Sequence, residues 1–214
     1  MLSKADPLAK AYNGGRKKSS PLLPLAAFNP CVDIGVEICI LAGGLGSRLG
    51  GGKPRVRLGR RTLLGHVRAN AAPLGLPVRV VKEDLVPRCG PLGGIYSGLR
   101  TSHRRGVLFL ACDMPFVSPA LLRRMIGRFD GENALVTVAR GRPGFPLILP
   151  RSLLATVEGL IARRNFSLRA LASASCARVV RVSAPAVFNV NTPEDLIYAK
   201  KRLVSAQEQL VKRP

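Results

Sequence analysis

Apolar positions along this chain fall into short unbroken runs, each closed by glycine, proline or a polar turn. The run Val36-Glu37-Ile38-Cys39-Ile40-Leu41-Ala42 is β-branched and apolar and stops at Gly43-Gly44, the pattern of a buried parallel strand entering a glycine loop. A second wholly apolar run over 107–112 ends at Asp113. Between and beyond them the pattern predicts a helix over 62–72, a strand over 78–81 and a helix over 91–101 that opens on proline and two glycines. Ser118-Pro119 caps a helix running to about residue 129. Strands are predicted over 134–139 and 145–149, joined by the turn 140–144, then helices over 151–163 and 167–174 and a strand over 177–182. Thr192 caps and Pro193 opens a final helix that leads into a basic tail. Alternating strands and helices predict an α/β fold: a three-layer α/β/α sandwich on a mostly parallel, Rossmann-like sheet, with no internal repeat.

Residues 1–34 show neither period and carry Pro, Gly and Lys, so they read as a loosely ordered basic N-terminal extension. A single domain over 35–204 and a basic C-terminal tail over 205–214 complete the predicted organisation. Apolar residues make up 47% of the 214 and mean hydropathy is +0.17, enough to build a core and to exclude wholesale disorder. Charge changes the picture more: 34 Lys and Arg against 12 Asp and Glu leave +22, of which +14 lies between the two ends of the chain. Such a field draws in polyanions or phosphorylated small molecules whatever the fold. Nucleic acid is not expected as the ligand, because aromatics are only 5% and neither zinc-finger spacing, an RNP aromatic pair nor a heptad with a basic region occurs. Five separated cysteines (Cys31, Cys39, Cys89, Cys112, Cys176) form no C-x-x-C pair, which fits a reducing cytoplasm better than a disulfide framework or a zinc site. The most apolar N-terminal stretch is broken by Pro24, Pro30, Asp33 and Glu37, so no membrane-spanning helix is expected, and no clear secretory leader.

Open α/β sheets bind ligands beyond the carboxyl ends of their strands, which directs attention to the loop 43–54 and to Asp113. The loop's glycines let backbone N–H groups approach phosphate oxygens, while Arg48 and Lys53 add mobile positive charge. It is not a Walker loop, because Ser47 stands where a glycine is needed and Pro54 replaces the magnesium-holding Ser or Thr. Nor is it a dinucleotide fingerprint, since Leu49 occupies the third glycine position. Asp113, at the end of a hydrophobic strand, is costly there unless it meets a metal, a cation or a ligand. Magnesium (Mg2+) together with phosphate is the natural partner, since that ion takes one or two carboxylates plus substrate oxygens. His66 and His103 read as ordinary helix-surface residues, and Cys112 as core packing rather than a nucleophile.

An ordered set of motifs now stands out: Leu41-Ala42-Gly43-Gly44 through Arg48 to Lys53, Glu83-Asp84, Gly90-Pro91-Leu92-Gly93-Gly94-Ile95, Cys112-Asp113-Met114-Pro115-Phe116, and Phe188-Asn189-Val190-Asn191-Thr192-Pro193-Glu194-Asp195-Leu196. Over residues 38–202 the chain resembles the molybdenum cofactor guanylyltransferases of the nucleotidyltransferase superfamily, which share the nucleotide-diphospho-sugar transferase type of fold. The resemblance implies transfer of GMP from GTP to the phosphate of molybdopterin, in its molybdenum or tungsten form, with magnesium as cofactor. It also leaves room for transient contact with molybdoenzymes or their chaperones.

By position, Leu41, Ala42, Gly43 and Gly44 would hold the nucleotide, and Lys53 its phosphates, with Arg48 sharing the catalytic charge. Asp113 would carry magnesium, Asp84 would face guanine, and Asn189 and Asn191 would lie toward the metal or the pterin. A carboxylate can accept both the ring N–H and the exocyclic amine of guanine, whereas cytosine's Watson–Crick edge offers only its amine as a donor. Two departures from the family pattern are visible. Gly52 rather than Asp precedes Lys53, and the stretch between Leu64 and Val78 is short by about a dozen residues in comparison with the family pattern. Either residues 67–70 are the remnant of a second strand, or the helix over 62–72 stays and that strand is gone. Two further readings keep the same fold: transfer with CTP or to another phosphorylated acceptor, and a non-catalytic polyanion-binding relic.

Overall fold

The structure, a computed structural model, describes residues 35–43 and 52–211, apart from the side chains of 206–211. The expectations for residues 1–34, for Gly44 and for Arg48 lie outside the described residues.

Strand β1 (Val36–Leu41) is buried up to its last residue, as its continuous β-branched run requires. A short 3-10 turn at Lys53–Arg55 leads into a small hairpin of β2 (Arg57–Leu58) and β3 (Arg61–Thr62). Thr62 then caps α1 (Leu63–Ala71), its hydroxyl accepting the Gly65 N–H at 3.0 Å. After a turn at Ala72–Leu74 come β4 (Val78–Val81), α2 (Pro91–Arg100), β5 (Gly106–Ala111) and α3 (Pro119–Ile126), the last capped by Ser118. β6 (Leu135–Ala139) and β7 (Arg142–Pro150) form a hairpin. α4 (Leu154–Ala162), the Ser167-capped α5 (Leu168–Ala174), β8 (Arg178–Arg181) and α6 (Pro193–Val211) follow.

Among the described residues six strands make one sheet in the order β4-β1-β5-β7-β6-β8. All pairings are parallel except those of β7, which runs antiparallel to both β5 and β6. Side chains alternate across this sheet as strand geometry dictates. Ile38 and Ile40 of β1 with Leu108 and Leu110 of β5 pack against α1 and α3 through Val67, Ala71, Leu122 and Met125. Cys39, Val107 and Phe109 face the other way onto Leu92, Ile95 and Leu99 of α2 and Leu160 of α4. Helices on both faces give the three layers expected. Each fully buried Leu, Ile or Phe contributes about 1.5–3 kcal/mol to holding them together.

The structure decides the question left open between Leu64 and Val78. The helix stays, and no strand forms there, so the short half-buried β4 is the edge of the sheet. Apolar positions Leu63, Val67 and Ala71 recur at helical spacing and bury themselves, which outweighs any strand tendency of 67–70. Three element boundaries also differ from expectation. β7 begins at Arg142, so its turn is only Arg140-Gly141, both at positive φ, the conformation that continues a hairpin's twist. α3 ends at Ile126, short of 129, and α6 continues to Val211 through most of the stretch read as a tail. His66 is half-buried, with Nε2 2.7 Å from the Leu58 carbonyl, and His103 is exposed beyond the end of α2. Neither is the plain helix-surface residue expected.

Candidate active site

Parallel register brings three strand ends to one level. Leu41 of β1 pairs with Val81 of β4 on one side and with Ala111 of β5 on the other. The Ala42 N–H bonds the Val81 carbonyl at 2.8 Å and the Cys112 N–H bonds the Leu41 carbonyl at 3.0 Å, so residues 42–43, 82–84 and 112–113 leave the sheet side by side. β1 lies between β4 and β5, where consecutive connections part to opposite sides, the usual place for a ligand crevice in such sheets.

At this edge Lys53, Asp113 and Asn191 meet. The Lys53 ammonium lies 3.2 Å from Asp113 Oδ2 and donates to Asn191 Oδ1 at 2.5 Å. Gly52 makes this possible locally: its φ of +94° turns the chain into the 3-10 turn that carries Lys53, a conformation a side chain resists. Asp113 Oδ1 is buried and accepts no hydrogen bond among the described residues. Burial pushes the Asp113 carboxyl above the usual carboxylate value, and the Lys53 ammonium pulls the other way by charge and hydrogen bond.

Asn191 is held from behind. The Val190 N–H bonds the Asp113 carbonyl at 2.8 Å, and Asp195 Oδ2 accepts the N–H groups of Asn191 and Thr192, both at 2.9 Å. The Thr192 hydroxyl accepts the Asp195 N–H in return, a reciprocal cap at the head of α6. Phe116 and Phe188 pack with tilted rings at 6.5 Å between centres, and the Arg202 guanidinium sits 4.1 Å over Phe116, fastening the two motif segments to α6. Asn70 of α1 donates to the Pro115 carbonyl at 2.9 Å and steadies the turn after Asp113.

Asp84 is a separate station on the same edge. Its carboxylate lies over the first turn of α2: a Cβ on Gly93 would come within 2.7 Å of Oδ2, and one on Gly94 or Gly43 within 3.4 or 3.5 Å of Oδ1. The glycines of these two motifs are therefore the cradle of this one acid. Partial burial raises its carboxyl above the ordinary value. Of the residues expected at the site, the structure joins Lys53, Asp113 and Asn191, sets Leu41, Ala42, Gly43 and Asp84 beside them, and keeps Asn189 apart. Exposed Asn189 borders an open cleft of about 200 Å³ with Met114, Thr137, Arg142, Phe145 and Val187. Sequence reasoning missed Asn70, Thr137, Arg142 and Phe145. A lone polar residue on a helix and a hairpin turn carry no signal of what they face. Cys112 is buried with its thiol pushed up to about 12, chiefly by burial, which suits packing and not nucleophilic attack.

A sequence model described as the MobA-like NTP transferase domain matches residues 38–182. The chain belongs to that family. A probable molybdenum cofactor guanylyltransferase from Pelotomaculum thermopropionicum is 32% identical, over 75% of this chain and 90% of its own length. The molybdenum cofactor guanylyltransferase of Pseudomonas syringae pv. tomato is 30% identical over 78% of this chain and 92% of its own length. Among solved structures, the molybdopterin-guanine dinucleotide biosynthesis protein A of Archaeoglobus fulgidus superposes with a TM-score of 0.62 at 23% identity, covering 79% of this chain and 99% of its own, which shows a common fold.

For this MobA-like chain the fit of a divalent cation can be tested on the side chains. Among the described residues no three His, Cys, Asp or Glu side chains cluster, so they build no self-contained metal cage. One buried carboxylate with a partnerless oxygen, beside an amide oxygen, is the donor set expected for magnesium, which completes its shell with substrate phosphates and water. Among the described residues no helix is long and apolar enough to cross a membrane.

Proposed function

We propose that this protein is a magnesium-dependent molybdenum cofactor guanylyltransferase. It would transfer GMP from GTP to the terminal phosphate of molybdopterin, giving molybdopterin guanine dinucleotide and pyrophosphate. The observation that carries this reading is the meeting of Lys53, Asp113 and Asn191 at the ends of β1 and β5, with the Asp84 carboxylate cradled at the adjacent strand end. The names of the relatives supply the acceptor.

Asp84 would accept the ring N–H and the exocyclic amine of guanine. The backbone of Leu41, Ala42 and Gly43, close under Lys82 and Asp84, would hold the nucleoside. An oxygen of the acceptor phosphate bonds to the α-phosphorus as the bond to the β-bridging oxygen breaks, and pyrophosphate leaves in line, so no covalent enzyme intermediate is required. Lys53 would leave its ion pair to balance charge on the triphosphate, and Asn191 holds the ammonium near Asp113 until then. Asp113 and Asn191 would hold magnesium, which supplies charge neutralisation on the transferred and leaving phosphates. The cleft at Asn189 is proposed for the acceptor, with Met114 and Phe145 as apolar walls for a flat ring and Arg142 as a cation at its mouth. The shortened stretch before β4 removes none of these groups.

Calorimetric titration with GTP, CTP and ATP, each with and without magnesium, tests the reading. Magnesium-dependent preference for GTP is expected. Equal affinity for all three, indifferent to magnesium, would overturn it in favour of unspecific polyanion binding.

A further inference from the structure

Ser97 sits on α2 at 3% exposure, a position where a hydroxyl is costly unless both its hydrogen-bonding functions are used. Here both are. Its Oγ donates to the Gly93 carbonyl at 2.8 Å and accepts the Leu85 N–H at 2.8 Å. The first bond is the ordinary backward bond of a helical serine. The second reaches out of the helix to the residue that directly follows Asp84.

Among the described residues no other hydrogen bond holds the loop beside Asp84. Leu85 is 58% exposed, so apolar burial does not anchor the loop at that point. Asp84 accepts no hydrogen bond from another described residue that would fix its carboxylate. The bond from Leu85 therefore joins the loop carrying Asp84 to the same helix, one turn on from the glycines, Gly93 and Gly94, that receive that carboxylate. Further along α2, the Thr101 hydroxyl donates to the Ser97 carbonyl at 2.7 Å, and Arg79 of β4 donates to Thr101 Oγ1, to the Gly98 carbonyl and to Glu37 of β1. These contacts fasten the helix to the sheet, while among the described residues the Ser97 hydroxyl supplies the bond from the helix to Leu85, the Leu92 and Gly93 N–H groups bonding the Cys89 and Gly90 carbonyls beside the helix start.

We infer that Ser97 is a positioning residue for base selection: its hydroxyl holds Leu85 so that the Asp84 carboxylate meets both donors of guanine at once. The inference rests on the reading that Asp84 faces guanine. Two simultaneous hydrogen bonds demand an orientation that one does not, so slackening the loop should affect the second bond more than overall nucleotide affinity.

The experiment compares GTP with ITP, which lacks the exocyclic amine. Dissociation constants are measured with magnesium for the unaltered protein, Ser97→Ala, Asp84→Ala, the double variant and Thr101→Ala. Thr101→Ala removes a bond to the Ser97 carbonyl and leaves the Ser97 hydroxyl in place. The unaltered protein should favour GTP about tenfold, the worth of one hydrogen bond to a charged group. Ser97→Ala should cut that ratio severalfold toward the value for Asp84→Ala. The double variant should be no less selective than Asp84→Ala, and Thr101→Ala should lose thermal stability but keep the ratio. An undiminished ratio in Ser97→Ala beside a lost ratio in Asp84→Ala would overturn the inference and leave the base reading standing. An undiminished ratio in Asp84→Ala would overturn the base reading, and the role of Ser97 with it. Equal losses in Ser97→Ala and Thr101→Ala would reduce Ser97 to helix stability and overturn the inference too.

Discussion

Asp113 is where folding and the proposed chemistry make opposite demands. Its Oδ1 is buried without a hydrogen-bond partner among the described residues, and burial raises its carboxyl above the usual value, so the folded chain holds that proton to a higher pH than the unfolded chain does. The sign follows from linkage: this group favours the folded state below the unfolded value near 3.8 and loses that contribution as pH rises through the folded value. Ionised in the folded state, the carboxylate is therefore held at a cost in stability. Asp113→Asn keeps the shape and removes the charge. It should lower magnesium-dependent turnover by at least about 100-fold, the scale for losing a group that stabilises transition-state charge. Scanning calorimetry of the metal-free variant at neutral pH should show an unchanged or higher Tm. A clearly lower Tm would mean that the Lys53 ion pair stabilises the fold more than burial opposes it.

Elements fix what single residues can do. The first turn of α2 is glycine-rich because the Asp84 loop lies on it, and Gly93 is the tightest point, with a backbone oxygen of Val86 2.9 Å from where a Cβ would stand. Gly93→Ala would gain up to about 1 kcal/mol of helix propensity, yet it must push the loop 84–86 aside. Weaker GTP binding by about tenfold or more is expected from titration, whereas unchanged binding would show that the loop yields freely. Strands and helices were readable because apolar runs and the caps Thr62, Ser118 and Ser167 state them locally. The hairpin β2–β3 was not, since two-residue strands carry no period. Lys53, Asp113 and Asn191 could be named from their motifs, but their meeting comes from parallel register and from the Asp195 cap, which link residues 60 and 138 positions apart. Ser97 was invisible, because a serine within a helix reads the same whether or not it reaches a loop.

At the scale of the whole molecule, +22 is a long-range field laid over a short-range site. Screening acts on the first more than on the second, because at physiological salt the field decays over roughly 8 Å. Raising the salt concentration should therefore weaken GTP and CTP binding by similar factors and leave their ratio unchanged. A ratio that collapses with salt would place selectivity in the net charge and not at Asp84. Among the described residues the sheet ends at the short strand β4, yet α1 still packs under the site and Asn70 still holds the turn after Asp113, so the shortened edge leaves the proposed transfer site assembled. The most direct test of that claim is pyrophosphate release with molybdopterin, magnesium and either GTP or CTP, alongside Asp113→Asn. Release with GTP, little with CTP and at least about 100-fold less from the variant is the predicted result. No release from folded, GTP-binding protein, or a preference for CTP, would contradict guanylyl transfer at this site.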